Sequence, residues 1–258
     1  GMSHVHIPDV PRQHEEKTLS DTFSRTELLL GTDAMQRLAK ASVIVFGVGG
    51  VGGFVVEALA RSGVGRIDVV DDDEVAPSNV NRQILATAQT MGRPKVEVAA
   101  ERIRSINPDC KAVAHRCFYL PQTADRFDLS TYDYVVDAVD TVTAKLHIIA
   151  RAKAAGVPVI SSMGAANKLD PCAFRVADID KTSICPLARI IRKEARKRGL
   201  GHFKVVFSTE EPVVRRGLDS EPGDPHPRRS GTPGSVAFVP SVAGLILAGE
   251  VVRDLCEP

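Results

Sequence analysis

Residues 42–63, SVIVFGVGGVGGFVVEALARSG, constrain the fold more than any other stretch of the chain. SVIVF (42–46) is β-branched and aromatic, which suits a buried strand. Val55, Val56, Leu59 and Ala60 repeat at helical spacing over 53–63, and Gly63 is a stop signal. Between the two, Gly47, Gly49 and Gly52 complete a G-x-G-x-x-G. Glycines in such a loop let the backbone turn tightly and approach phosphates, and the helix N-terminus attracts their charge. RIDVVD (66–71) reads as a second strand, and Asp71 stands at its end, where a carboxylate accepts hydrogen bonds from ribose hydroxyls. The stretch predicts a nucleotide site, for either hydride transfer or acyl-adenylate formation.

The alternation continues downstream. Residues 26–41 read as an amphipathic helix with a break at Gly31, 93–108 as a helix with Pro94 in its first turn, and 132–140 as a strand ending in acids. A helix over 143–156 and a strand over 157–163 follow. This order predicts an α/β fold: a Rossmann-like, doubly wound, mainly parallel sheet whose ligands sit beyond the carboxyl ends of the strands. The remainder is less regular, an α+β portion with strands at 172–179 and 203–208 and a basic helix at 185–199. Residues 210–234, rich in Pro, Gly and charge, are expected to form a long flexible loop. The domain reading is a mobile tail over 1–21 and one domain over 22–258, with 165–235 as an insertion carrying the basic helix and the loop.

With 33 Lys and Arg against 32 Asp and Glu, bulk charge selects no partner, so any nucleic-acid affinity must come from local clustering. The five cysteines form no CxxC pair, which argues against a zinc site and a disulfide framework and for a reducing, cytoplasmic setting. No signal peptide is expected in the polar first 21 residues. The apolar run 236–252 contains Pro240 and Glu250 and is short for a membrane span, so it reads as a buried helix. Cys117, Cys172 and Cys256 are expected to be buried fillers and His147 a core histidine. Cys185, at the start of the basic helix, is a weaker candidate for a sulfur acceptor or thioester nucleophile.

DDDEVAPSNVNRQ (71–83) and Lys95 decide between the two nucleotide chemistries. A nicotinamide enzyme does not need cations here. An adenylating enzyme does, because a carboxylate must attack a phosphorus and the gathering negative charge must be met by Arg and Lys. It also needs magnesium on hard oxygen ligands, and Asp137 and Asp140 end a strand on the same sheet edge. Asp137 reads slightly better as a strand-end cap than as a ligand. A non-catalytic dinucleotide-binding scaffold is a third reading, for which the Arg82 and Lys95 pair is the difficulty.

GVGGVGG (47–53), DDDEVAPSNVNRQ, Lys95 and DAVDT (137–141) together resemble the ubiquitin-activating-enzyme-like (ThiF/MoeB-type) adenylation family over residues 23–165. The resemblance implies that Gly47, Gly49, Gly50 and Gly52 cradle ATP. It implies that Asp71 binds the ribose with Asp73 beside it, that Asn79, Arg82 and Lys95 hold phosphates, and that Asp140 holds magnesium. FSRTELLLG (23–31) resembles the family's N-terminal arginine motif, implying that Arg25 reaches the phosphates of a neighbouring subunit in a homodimer. Arg25, Arg82, Lys95 and Asp140 are the implied catalytic set.

Two departures narrow the branch: this chain lacks the two CxxC pairs of sulfur-carrier activators, and it has no room for a separate catalytic-cysteine domain. KTSICPLAR (181–189) with its basic helix, and GTPGSVAFVPSVAGLILAGEVVRDL (231–255), resemble instead the tRNA threonylcarbamoyladenosine dehydratase branch. That resemblance implies ATP-dependent activation of the threonyl carboxylate on the modified adenosine next to the anticodon, then cyclisation with net loss of water. The alternative is activation of the C-terminus of a sulfur-carrier or ubiquitin-like protein. Arg189, Arg192, Lys193, Arg196 and Lys197 lie away from Leu187, Ile190 and Ile191, a phosphate-binding stripe for tRNA. Arg198, His202 and Lys204 are expected to extend it, and Arg215, Arg216, Arg228 and Arg229 to add contacts. A sulfur-transfer protein stays open as a further partner. So does a monovalent cation near the C-terminal half, for which no residue pattern marks a site.

Overall fold

The computed structural model describes residues 21–214 and 232–258. Seven strands form one sheet: β1 (Ser42–Phe46), β2 (Arg66–Val70), β3 (Lys111–His115), β4 (Tyr134–Asp137), β5 (Val159–Ser162), β6 (Phe174–Asp178) and β7 (Lys204–Ser208). Their order is β3-β2-β1-β4-β5-β7-β6, parallel throughout except for β6 against β7. From β1 the chain winds outward to β2 and β3, then returns to the other side of β1 for β4 and β5. The crevice between β1 and β4 is therefore the point where the winding reverses, the usual ligand position in such sheets.

Alternation along the strands makes two cores. Val43 and Val45 face one side of the sheet and Ile44 and Phe46 the other, as the period of two requires. Helices α3 (Gly52–Arg61), α4 (Lys95–Ile106) and α7 (Pro240–Cys256) cover the first face, and α5 (Val142–Ala154) and α6 (Pro186–Lys197) the second. The apolar C-terminal run is α7, and it packs on α3 so closely that a Cβ on Gly244 would stand 2.3 Å from the Val51 carbonyl oxygen. Among the described residues no helix is long and apolar enough to cross a membrane.

The helix predicted over 26–41 breaks at Gly31 as expected, where φ is 88°, into α1 (Ser24–Leu30) and α2 (Thr32–Lys40). Other expectations need correction. The edge strand β3 was not foreseen, because KAVAH is half-exposed and lacks an apolar run. Cys117 is buried as expected, but Cys172 is exposed and Cys256 only partly covered. Most of the predicted long loop, residues 215–231 with Arg215, Arg216, Arg228 and Arg229, lies outside the described residues, as does the tail 1–20.

Beside the edge strand, the fully buried Asp68 accepts hydrogen bonds from Arg66 Nε (2.8 Å), Tyr132 Oη (2.8 Å) and His115 Nε2 (2.7 Å). Burial pushes its carboxyl up, but the bonds from His115, Arg66 and Tyr132 outweigh burial and hold it below the usual range. A lowered folded-state pKa stabilises above the unfolded value of about 3.9 and is lost as pH falls through the folded value. Asp68→Asn is expected to cost roughly 3 kcal/mol at pH 7, because a neutral amide cannot replace the buried carboxylate that accepts from all three half-buried donors. It should also flatten the acid arm of stability, read as urea midpoints between pH 7 and pH 3. An unchanged acid arm would show that Asp68 does not drive it.

Candidate active site

The register places the site. Phe46 pairs with both Val70 and Asp137, so the next residues, Gly47, Asp71 and Ala138, emerge side by side at the carboxyl edge. They line a cleft of about 520 Å³ with Gly49, Gly50, Asp73, Arg82, Lys95 and Asp140. Gly47 has φ 88° and its N–H donates to Val70 O at 2.8 Å, and a Cβ there would stand 2.5 Å from Ala138 O. Gly49 opens onto the cleft, where an added Cβ would meet only the Gln83 side chain, at 3.7 Å and beyond. Gly52 does a different job: it does not line the cleft, and its missing side chain lets α3 pass against Gly47.

Asp71 is fixed to the loop, its Oδ2 accepting from Val48 N (3.0 Å) and its Oδ1 from Asp73 N (2.9 Å). The carboxylates of Asp71, Asp72 and Asp73 lie within 4.8 Å of one another. Burial, and then the charges of Asp73 and Asp71, push the Asp72 carboxyl up. Lys95 is buried at the start of α4, with Nζ 3.6 Å from Asp73 Oδ2. Arg82 Nη1 donates to Ser78 O (2.9 Å) and Asn81 Oδ1 (3.0 Å), which orients the guanidinium at the cleft wall. Asp140 is an exposed carboxylate on the same cleft.

Other predicted residues lie elsewhere. Asn79 is not on the cleft: it is buried and its Oδ1 accepts from Ala76 N (2.9 Å), so it shapes the loop that carries Arg82. Asp137 is the cap, not a ligand. It is fully buried and accepts from Ser161 Oγ (2.6 Å), Val139 N (3.1 Å) and Lys145 Nζ (3.3 Å). Arg25 is exposed on α1 and outside the cleft. Cys185 is buried at the start of α6, which rules out an accessible nucleophile there. His147 is half-buried; its Nδ1 pairs with Tyr119 Oη at 2.8 Å, and burial first, then the charges of Arg151 and Arg198, lower its pKa.

The sequence reading missed Gln83, which is buried on the cleft and whose Oε1 has no partner among the described residues. Its place next to Arg82 was the available signal. It also missed the apolar end of the cleft, made by Phe46, Cys117 and Tyr119.

A model described as the ThiF family matches residues 23–258. The chain belongs to the ThiF family. It is 47% identical over 240 residues to the tRNA threonylcarbamoyladenosine dehydratase of Bacillus subtilis (strain 168), covering 91% of this chain and 94% of that one. The crystal structure of the E. coli tRNA N6-threonylcarbamoyladenosine dehydratase in complex with AMP superposes with TM-score 0.81 at 34% identity, covering 91% and 94% of the two chains. A sulfur carrier protein adenylyltransferase of Thermus thermophilus is 36% identical, but over 54% of this chain and 52% of its own.

At the rim of this ThiF-family cleft, contributed by Leu187, begins the basic helix α6. Ala188, Ile191 and Ala195 are its buried face, whereas Ile190 is 48% exposed, contrary to expectation. Arg189 and Lys193 point to solvent without ion-pair partners among the described residues. Arg192 folds back to Thr182 (Oγ1, 2.6 Å), Arg196 pairs with Asp180 (3.1 Å) and Lys197 with Glu194 (3.4 Å). His202 is exposed beside Asp178 and Asp180. Lys204 does not extend the stripe, since it pairs with Glu250 and Asp254 of α7 at 2.9 Å each.

Proposed function

We propose that this chain catalyses the ATP-dependent dehydration of N6-threonylcarbamoyladenosine in tRNA. The observation that carries the reading is one cleft in which the glycine loop and Asp71 face Arg82, Lys95 and Asp140. A dinucleotide scaffold has no use for that charge arrangement. The names of the relatives supply the substrate class.

The threonyl carboxylate oxygen attacks a phosphorus of ATP, displacing pyrophosphate or ADP and forming a mixed anhydride. A nucleophilic atom of the neighbouring carbamoyl group then attacks the acyl carbon, loses its proton and expels the phosphate-bearing group. The product is a ring, one water lighter. Proximity within the substrate supplies the attack, so no protein nucleophile is required. Arg82 and Lys95 stabilise charge that gathers on the phosphates. Magnesium fits the hard oxygen donors present: Asp140 would hold it, and it would neutralise phosphate charge.

A homodimer is part of the proposal. No residue of α1 is buried, and Leu28 and Leu29 are 85% and 88% exposed beside Arg25. A second copy covering α1 would bring Arg25 towards its own cleft. A sulfur-transfer protein, by contrast, would find Cys172 rather than Cys185 at the surface.

The test is mass spectrometry of nucleosides from threonylcarbamoyladenosine-bearing tRNA after incubation with the protein, ATP and magnesium, avoiding alkaline digestion. Loss of one water that requires ATP and vanishes in Arg82→Ala is expected; no change would sink the reading. Dependence of ATP–pyrophosphate exchange on a small protein ending in Gly-Gly would favour the carrier-activating alternative. For the stripe, Arg189→Ala with Lys193→Ala should weaken tRNA binding and reduce the slope of log affinity against log salt by about 2. An unchanged slope would remove α6 from the RNA footprint.

A further inference from the structure

We propose that Lys168 is the cation that receives the carboxylate of the second substrate. The inference rests on the dehydratase reading and names the contact by which that site selects an acid. Lys95, Lys145 and Lys168 are buried, at 5%, 1% and 4% exposure. Lysine is almost never buried unless paired. Lys95 faces Asp73 and Lys145 faces Asp137, at 3.6 Å and 3.3 Å. Among the described residues Lys168 pairs with no carboxylate; its Nζ donates to Gly164 O at 2.9 Å. One carbonyl does not balance a buried unit charge. The nearby Glu210 is committed, both its oxygens accepting from the amides of Leu169 and Asp170.

Gly164 lines the cleft, and the one atom within 4 Å of a Cβ built on it is Lys168 Nζ, at 3.8 Å. Lys168 does not itself line the cleft: its ammonium stands behind Gly164, a wall residue that has no side chain to cover it. Its backbone is held firmly. Asn167 sits at φ 57° and exchanges hydrogen bonds with Gly234, whose N–H donates to Asn167 Oδ1 (2.8 Å) and whose O accepts from Asn167 N (2.9 Å).

Position identifies the anion. Asp71 follows β2 and Gly164 follows β5, three strand spacings away in the sheet order. That is about 14 Å along the cleft. Gly47 and Asp140, which follow β1 and β4, lie between them. With the ribose at Asp71 and the phosphates over the glycine loop, the nucleotide's charge is met by Arg82 and Lys95. The far end is left for the carboxylate that attacks phosphorus. Lys168 gripping one of its oxygens leaves the other free to attack.

The test compares wild type, Lys168→Met and Lys168→Arg, each as the full chain. Their binding is measured to tRNA bearing the threonylcarbamoyl nucleoside and to the same tRNA with its carboxyl converted to the carboxamide. Wild type is expected to prefer the acid by about tenfold, the scale of a charged hydrogen bond. Lys168→Met should lose that preference, raise KM for the acid tRNA by a similar factor and bind ATP unchanged. It should keep or raise the thermal midpoint, since removing an uncompensated buried charge relieves the fold. Lys168→Arg should recover part of the preference. No acid preference in wild type, or its retention in Lys168→Met, overturns the proposal. So does a joint loss of stability and ATP binding, which would mark a purely structural lysine. If wild type prefers the acid yet dehydrates nothing, the function reading fails and the carboxylate contact stands.

Discussion

Lys95→Met is expected to lower ATP-dependent turnover by about 10²–10³-fold, the usual loss when one donor to developing transition-state charge is removed. The substitution isolates chemistry from folding. Methionine keeps the length of the side chain in its buried slot at the start of α4. Its ion-pair partner among the described residues, Asp73, is 68% exposed, so its carboxylate stays hydrated once the ammonium is gone. Stability should change by less than about 1 kcal/mol, the scale of a loose, half-solvated pair. Steady-state turnover and the thermal midpoint, measured together, check this. Turnover within twofold of wild type would remove Lys95 from the phosphate site. A large fall in the thermal midpoint would show that the ion pair with Asp73 serves the fold.

The elements that read correctly in the sequence did so because their local pattern matches the fold around them. SVIVF becomes β1, RIDVV becomes β2, and the glycines between β1 and α3 stand where a strand–turn–helix puts them. Asp71, Arg82, Lys95 and Asp140 meet on one cleft because each follows, or is tethered to, a strand end at the winding reversal. What was not legible depended on contacts distant in sequence. Asn79 reads in the sequence only as a phosphate donor, yet its amide oxygen accepts from Ala76 N three residues earlier and shapes the loop. Lys204 lies among basic residues in the sequence but faces α7 across the fold. Ile190 has helical apolar spacing, but the buried face of α6 is narrow and made of Ala188, Ile191 and Ala195, leaving Ile190 outside. Lys168 gives no sequence signal at all, because an unpaired buried charge is visible only once burial and partners are known.

Gly52→Ala should destabilise the protein by about 4 kcal/mol or more, whereas Gly49→Ala, three residues earlier, should leave stability nearly unchanged and cripple nucleotide binding. Helical propensity alone predicts the reverse for Gly52, since alanine is favoured over glycine inside a helix by about 1 kcal/mol. Space decides. A Cβ on Gly52 would lie 1.7 Å from Gly47 O and 2.7 Å from Gly47 C, both backbone atoms that no rotamer change can move. The variant must push α3 off β1, opening the core that Val55, Val56 and Leu59 fill, and losses of that kind reach the exceptional end of single-mutant effects. At Gly49 an added methyl meets only the Gln83 side chain, Nε2 at 3.7 Å and Cδ at 4.0 Å, so the fold tolerates it. Its methyl would occupy the surface where a phosphate must touch backbone. Urea midpoints and ATP titrations on the two variants separate these effects. Equal loss of stability would mean the loop is a packing unit throughout; undiminished ATP binding by Gly49→Ala would move the phosphates off the glycine loop.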